Sequence, residues 1–94
     1  MIYRRSNAVV VREIEGELIL VPLTAGVGDL EDELYALNET GAAIWRRFDG
    51  LRTVEEIARE LAAEFEAPVE QIQEDVAGLA QELTRRGILV AVSQ

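Results

Sequence analysis

An α+β domain is what this sequence predicts, and three observations carry the prediction. The first third of the chain holds short apolar runs, alternating or rich in β-branched residues and bounded by turn signals. The rest holds three stretches with apolar residues at helical spacing, each opened by a residue suited to a helix start. The 94 residues suffice for one compact core and are too few for two. Residues 1–94 are therefore expected to form a single domain.

The predicted elements follow in order. Ala8 to Ile14 reads as a strand. Glu15-Gly16 is a turn signal, because the glycine can take a positive φ, and Glu17 to Leu23 is the returning strand. Pro22 cannot donate to a ladder, so it marks a strand end at an edge or a bulge. Residues 24–33, with two glycines and four acids, read as a loop, and Leu34 to Leu37 as a short third strand. Asn38 can cap a first helix over roughly Glu39 to Phe48, with Gly50 as its terminator and Ile44, Trp45 and Phe48 on one face.

Thr53 with Glu56 forms a capping box for a second helix, which Val54, Ile57, Leu61 and Phe65 carry to about Glu66. Pro68 suits the first turn of a third helix, whose stripe is Val69, Ile72, Val76, Leu79 and Leu83. Arg85 and Arg86 complement its negative end, and Gly87 stops it. Ile88 to Val92 either returns as a short strand or packs along the helices. This order predicts a winged helix-turn-helix-like fold: a three-stranded antiparallel sheet, three helices and a short C-terminal strand.

Composition removes several kinds of chemistry. The chain has no cysteine and no histidine, which excludes thiolate nucleophiles, disulfides, zinc-finger ligation and imidazole catalysis. No apolar run approaches the ~20 residues of a membrane span, and the N-terminus makes a poor signal peptide. A cytoplasmic protein is expected, with no membrane partner and no cofactor. Eighteen acids against nine bases, all arginine, give a formal charge of −9. Nucleic acid is repelled by such a surface, and basic partners are favoured.

The candidate sites divide on the same grounds. A winged helix often reads DNA with its third helix, but here Glu70, Glu74, Asp75 and Glu82 on that helix face only Arg85 and Arg86. Trp45 shares a face with Ile44 and Phe48, which makes it a core residue before a ligand-stacking one. Tyr35 fits either a core or a groove position. The acids Asp29, Glu31, Asp32 and Glu33 lack the alternation and the glycine of a calcium loop, so no metal site is expected. Acids beside a short edge strand instead discourage indiscriminate pairing. No nucleophile stands with a base and no Gly-rich loop cradles phosphate, so no enzymatic activity is expected.

The ordered set Leu37-Asn38 before Thr40-Gly41-Ala42, Ile44-Trp45, Asp49-Gly50, Thr53 with Glu56-Ile57, and Asp75-Val76 leading to Gly87-Ile88-Leu89 resembles the PqqD family. These are peptide-binding proteins also called RiPP recognition elements, and with the upstream strands the match covers about residues 8 to 90. The resemblance implies a domain that binds the leader segment of a ribosomally made precursor peptide and presents the rest to a modifying enzyme. That enzyme is a radical SAM protein in the pyrroloquinoline quinone pathway and a peptidase, cyclase or dehydratase in others. With no enzyme domain fused, it would act in trans.

The resemblance also implies that the leader adds as a strand to the third strand and lies against the third helix. On this sequence the peptide-binding residues would be Glu33, Leu34, Tyr35, Ala36 and Leu37 on the strand. Asp75, Gly78, Leu79 and Glu82 would form the helix flank. Backbone groups would supply affinity and the helix side chains would choose among leaders. The connection over residues 24–33 looks longer than is usual in the family.

Overall fold

The computed structural model describes residues 1–23 and 34–92. Its strands are β1 (Ile2–Arg5), β2 (Val9–Ile14), β3 (Glu17–Pro22), β4 (Tyr35–Leu37), β5 (Asp49–Thr53) and β6 (Leu89–Ala91). Its helices are α1 (Glu39–Arg46), α2 (Val54–Phe65) and α3 (Val69–Arg85). The expected α+β class is the observed one, but the strands form two sheets, β2-β3-β4 and β5-β1-β6, both antiparallel.

The hairpin β2–β3 forms where Glu15-Gly16 predicts it, with Ile14 opposite Glu17. Both turn residues have positive φ, 51° and 84°, which is the type I′ arrangement that follows the twist of the flanking strands. Glutamate is poorly suited to the first of these positions, since its Cβ crowds the backbone in the left-handed region. Glu15→Asn should therefore raise unfolding stability by about 0.5–1 kcal/mol. Chemical denaturation of the two proteins in parallel checks this.

Along β3 the side chains alternate, with Leu18, Leu20 and Pro22 buried. Pro22 is the last residue of the strand and lies opposite Val9. Leu18, Leu20 and β4 Leu37 join Ile44, Trp45 and Phe48, and then Ile57, Leu61, Ile72, Val76 and Leu83 of the two longer helices, in one core. Trp45 is 2% exposed, as its spacing predicts. The buried row of α3 runs Ile72, Val76, Ala80 and Leu83, so Ala80 takes the inward place that Leu79 was expected to share.

The second sheet corrects the sequence reading. Ile2–Arg5 carried no strand signal and 49–53 read only as a helix end, yet β1 pairs with both β5 and β6. The tail Ile88 to Val92 thus resolves to the strand alternative. Tyr3 is buried from β1 and meets Phe48 edge to face at 6.0 Å. α1 is shorter than expected because the chain tightens after Trp45: the Phe48 N–H donates to the Trp45 carbonyl, which turns the Phe48 ring into the core. Gly50, with φ 83°, belongs to β5, where a Cβ would approach that of Arg4 to 3.3 Å.

The helix starts follow the predicted chemistry. The Gly41 N–H donates to Asn38 Oδ1 at 2.8 Å. At α2 the Glu56 N–H donates to Thr53 Oγ1 at 3.1 Å, while the Thr53 N–H donates to Glu56 Oε1 at 2.9 Å. That backbone donor, with the Thr53 side chain, holds the Glu56 carboxyl below its ordinary 4.5. A depressed carboxyl stabilises the fold above its unfolded pKa, and the contribution is lost as pH falls through the folded value. Thr53→Ala should cost about 1 kcal/mol at neutral pH. The deficit should shrink below pH 4.5, where the parent loses its reciprocal bond as well. Thermal melting of both proteins across that range checks the sign.

Neighbouring Arg46 and Arg47 separate in role. Arg46 is exposed, whereas Arg47 donates through Nε to Glu60 at 3.2 Å and through Nη2 to Glu64 at 2.7 Å, tying α1 to α2. The expected loop over 24–33, with Asp29, Glu31, Asp32 and Glu33, lies outside the described residues. Among the described residues no group of acids could hold a metal ion, and no helix is long and apolar enough to cross a membrane.

Candidate functional site

Among the described residues β4 is the outer strand of its sheet, bonded to β3 on one side. The register shows which of its backbone groups are left over. In an antiparallel ladder each residue turns both N–H and C=O to the same side, and the side alternates along the strand. Ile14 and Glu17 flank a two-residue turn, so they exchange bonds. Leu18 then turns toward β4, Ile19 toward β2, and Leu20 toward β4. Leu37 and Tyr35, opposite Leu18 and Leu20, are spent on β3. Ala36, opposite Ile19, turns its N–H and C=O outward.

The outward edge borders a groove of about 740 Å³ whose far wall is α3. Tyr35, Ala36 and Leu37 line one wall and Asp75, Gly78, Leu79 and Glu82 the other. The structure thus brings seven of the nine sequence-predicted site residues into one groove. Leu34 is exposed beside it without lining it, and Glu33 lies outside the described residues. Arg86 reaches the Tyr35 ring, which puts Tyr35 at the Glu82 end of the groove and leaves Leu37 toward the Asp75 end.

Each end has its own chemistry. At the Tyr35 end the Arg86 guanidinium lies 5.0 Å over the tyrosine ring, and its Nε donates to Glu82 Oε2 at 2.7 Å. Arg85 donates to the same oxygen. These hydrogen bonds, Arg86 first, hold the Glu82 carboxyl below its usual value, so it stays charged but largely neutralised by its partners. At the Leu37 end Glu17 and Asp75 are exposed, and among the described residues neither forms an ion pair. The uncompensated charge of the groove is therefore negative and lies at one end.

Sequence reasoning missed Glu17, Asn38, Thr40, Gly41 and Ile44, which also line the groove. The available signal was adjacency: α1 starts directly after β4, so its first turn has to lie at the end of the groove. A Cβ at Gly41 would be a tight fit, 3.2 Å from Leu37 Cδ2 and 3.4 Å from the capping oxygen of Asn38. The floor is apolar, with Leu37 and Ile44 buried and Tyr35 and Leu79 half-buried. Such a site can accept an extended chain. Among the described residues that line it, none forms a nucleophile and base pair.

These features define a class by its architecture: small α+β domains in which the outer strand of a sheet and a long helix enclose one groove. Within that class the family is shown by sequence. The family model described as "Coenzyme PQQ synthesis protein D (PqqD)" matches residues 17–89, and the chain belongs to that family.

A "PqqA binding protein" of Rhizobium meliloti (strain 1021) is 42% identical over 61 residues, which is 65% of this chain and 62% of that protein. Another of the same description, from Gluconobacter oxydans (strain 621H), is 51% identical over 58 residues, 62% of this chain and 60% of that one. The match thus spans less than two thirds of either relative.

Among solved structures, "TbiB1 in Complex with the TbiA(beta) Leader Peptide" aligns with TM-score 0.76 at 23% identity, over 97% of this chain and 99% of that one. The solution structure of the PqqD truncation of Methylobacterium extorquens PqqCD, described as a RiPP recognition element, aligns with TM-score 0.75 at 21% identity. It covers 96% of this chain and 89% of that one. At these identities the likeness is one of fold.

Proposed function

We propose that residues 1–94 act as one peptide-binding domain, which binds the leader segment of a ribosomally made precursor peptide and presents the remainder to a separate modifying enzyme in the cytoplasm. The observation that carries this reading is the outward-turned backbone of Ala36 at an open strand edge beside the groove. A leader strand pairs with β4 there. Glu33 and Leu34 extend the edge, Tyr35 and Leu37 bound the floor, and Asp75, Gly78, Leu79 and Glu82 form the wall that selects side chains. Two descriptions support it: the family relatives are named for binding PqqA, and one of the similar folds, TbiB1, is described in complex with a leader peptide.

The chain contributes binding and positioning, without catalysis and without a cofactor. A radical SAM enzyme is the proposed partner, by family membership. Ladder bonds with one or two filled pockets, offset by ordering a flexible leader, correspond to roughly micromolar affinity, about −8 kcal/mol. The free negative charge of Glu17 and Asp75 favours a leader with Lys or Arg opposite Leu37.

The test is affinity capture from the native lysate with mass spectrometry down to peptide size, run beside the Ala36→Pro variant. A short precursor peptide held by the parent and lost by the variant is the expected result. DNA, or an enzyme without any peptide in a strain expressing its precursors, would overturn the reading.

A further inference from the structure

The sheet that carries β4 has a second outer strand, β2, and a second cleft lies beside it. This cleft, about 390 Å³, is lined by Arg4 and Arg5 of β1, Val9 and Val11 of β2, and Trp45 and Phe48 of the core. Its charge is opposite to that of the β4 groove. Both arginines are exposed, and among the described residues neither stands within ion-pair distance of a carboxylate. Arg5 is held over the Trp45 ring at 6.0 Å. Asp49 also reaches the cleft, but Oδ1 is occupied by the N–H groups of Leu51 and Arg52 at 2.9 and 3.0 Å. Its other oxygen lies 3.8 Å from Arg52 Nε.

The alternation that frees Ala36 on β4 applies to β2 as well. Arg12, opposite Ile19, bonds to β3, so Val11 turns its N–H and C=O to the open edge. Val11 is 41% exposed and lines the cleft. Among the described residues, an edge residue outside the β3 ladder, an apolar floor and two cations beyond ion-pair distance of any carboxylate thus line one cleft. On a chain of net charge −9, two cations without an ion pair among the described residues make this cleft a place where an acidic partner is attracted.

We propose that this cleft docks an acidic, extended segment of a partner protein, with carboxylates on Arg4 and Arg5 and apolar side chains on Val9 and Val11. A polynucleotide fits poorly, since its phosphates would continue past the cleft onto an acidic surface. The surface is separate from the β4 groove, and the proposal stands whatever that groove binds. With both in use, a basic segment would occupy one edge of the sheet and an acidic one the other.

The test follows backbone amide signals by NMR while the protein is titrated with a short synthetic peptide alternating Glu and Val, at low salt. Saturable shifts at Arg4, Arg5 and Val11 and at the Trp45 indole are expected, weakening as salt is raised. The double substitution Arg4→Glu with Arg5→Glu should weaken binding by about tenfold or more. Arg4→Gln alone keeps the Arg5–Trp45 contact and should weaken it less, so a folding defect in the double variant leaves a readable result.

A matching peptide of Lys and Val should leave these signals unmoved. Shifts centred on Ala36 and Leu79, no shift at all, or the same shifts with acetate at equal carboxylate concentration would each overturn the proposal. The last would mark a simple anion site.

Discussion

Ala36→Pro should weaken leader binding about a hundredfold while leaving the fold intact. Proline removes the outward N–H, and its ring intrudes where an incoming strand has to lie. A lost ladder bond with the steric conflict, about 3 kcal/mol together, corresponds to roughly a hundredfold weaker affinity. The fold should survive because Ala36 spends no backbone bond on β3: it lies opposite Ile19, which is bonded to β2. Leu37→Pro is the contrasting control. Leu37 is buried and its N–H belongs to the ladder with Leu18, so this change should unfold the sheet. Calorimetric titration with the captured peptide and far-UV circular dichroism separate the two. Parent-like affinity in folded Ala36→Pro would mean that the peptide does not pair with β4.

Substitutions at Gly78 should split stability from binding. This glycine sits inside α3 on the groove wall, and a Cβ built there meets nothing within 4 Å. Gly78→Ala should therefore stabilise the protein by about 1 kcal/mol, since a glycine inside a helix costs backbone entropy with nothing gained in packing. Gly78→Phe should fold equally well yet fill the groove, weakening leader binding by about a hundredfold. Denaturant melts and titrations of the three proteins check both halves. If Gly78→Phe binds as the parent does, the peptide follows another path along α3. If Gly78→Ala destabilises the protein, the open space at this wall is wrong.

Both predictions concern the β4 groove, which Ala36 and Gly78 line from opposite walls. The β4 groove has an apolar floor, with Glu82 neutralised by Arg85 and Arg86 at one end and, at the other, two carboxylates that form no ion pair among the described residues. Arg86 also spans from α3 to Tyr35. It therefore couples the two walls, and the width at that end depends on a side-chain contact rather than on the backbone alone.

How much was readable from the sequence depends on how local the cause is. The Glu15-Gly16 hairpin, the Asn38 cap and the Thr53–Glu56 capping box each rest on residues within a few positions of one another. They formed where the sequence predicts them. The wall residues Asp75, Gly78, Leu79 and Glu82 came from the family resemblance rather than from spacing, which by itself put Leu79 in the buried stripe, whereas it is half-buried on the groove wall. Core membership of Trp45 and Phe48 did follow from spacing, although Phe48 arrives through a tightened turn beyond the last helical residue.

Other features came only from the tertiary structure. β1 finds partners in β5 and β6, far along the chain, and "IYRR" has no alternation strong enough to announce a strand. Arg46 and Arg47 look alike in sequence, yet one helical step carries Arg47 toward Glu60 and Glu64 and leaves Arg46 in solvent. Glu17 and Gly41 line the groove because strand register and helix entry bring them there. By itself, then, the sequence determined the elements, their caps and the faces they bury, since those depend on short-range periodicity and backbone chemistry. Only the tertiary structure decided which strand edges stay open and which charges go unpaired, because both are set by contacts between residues distant in the chain.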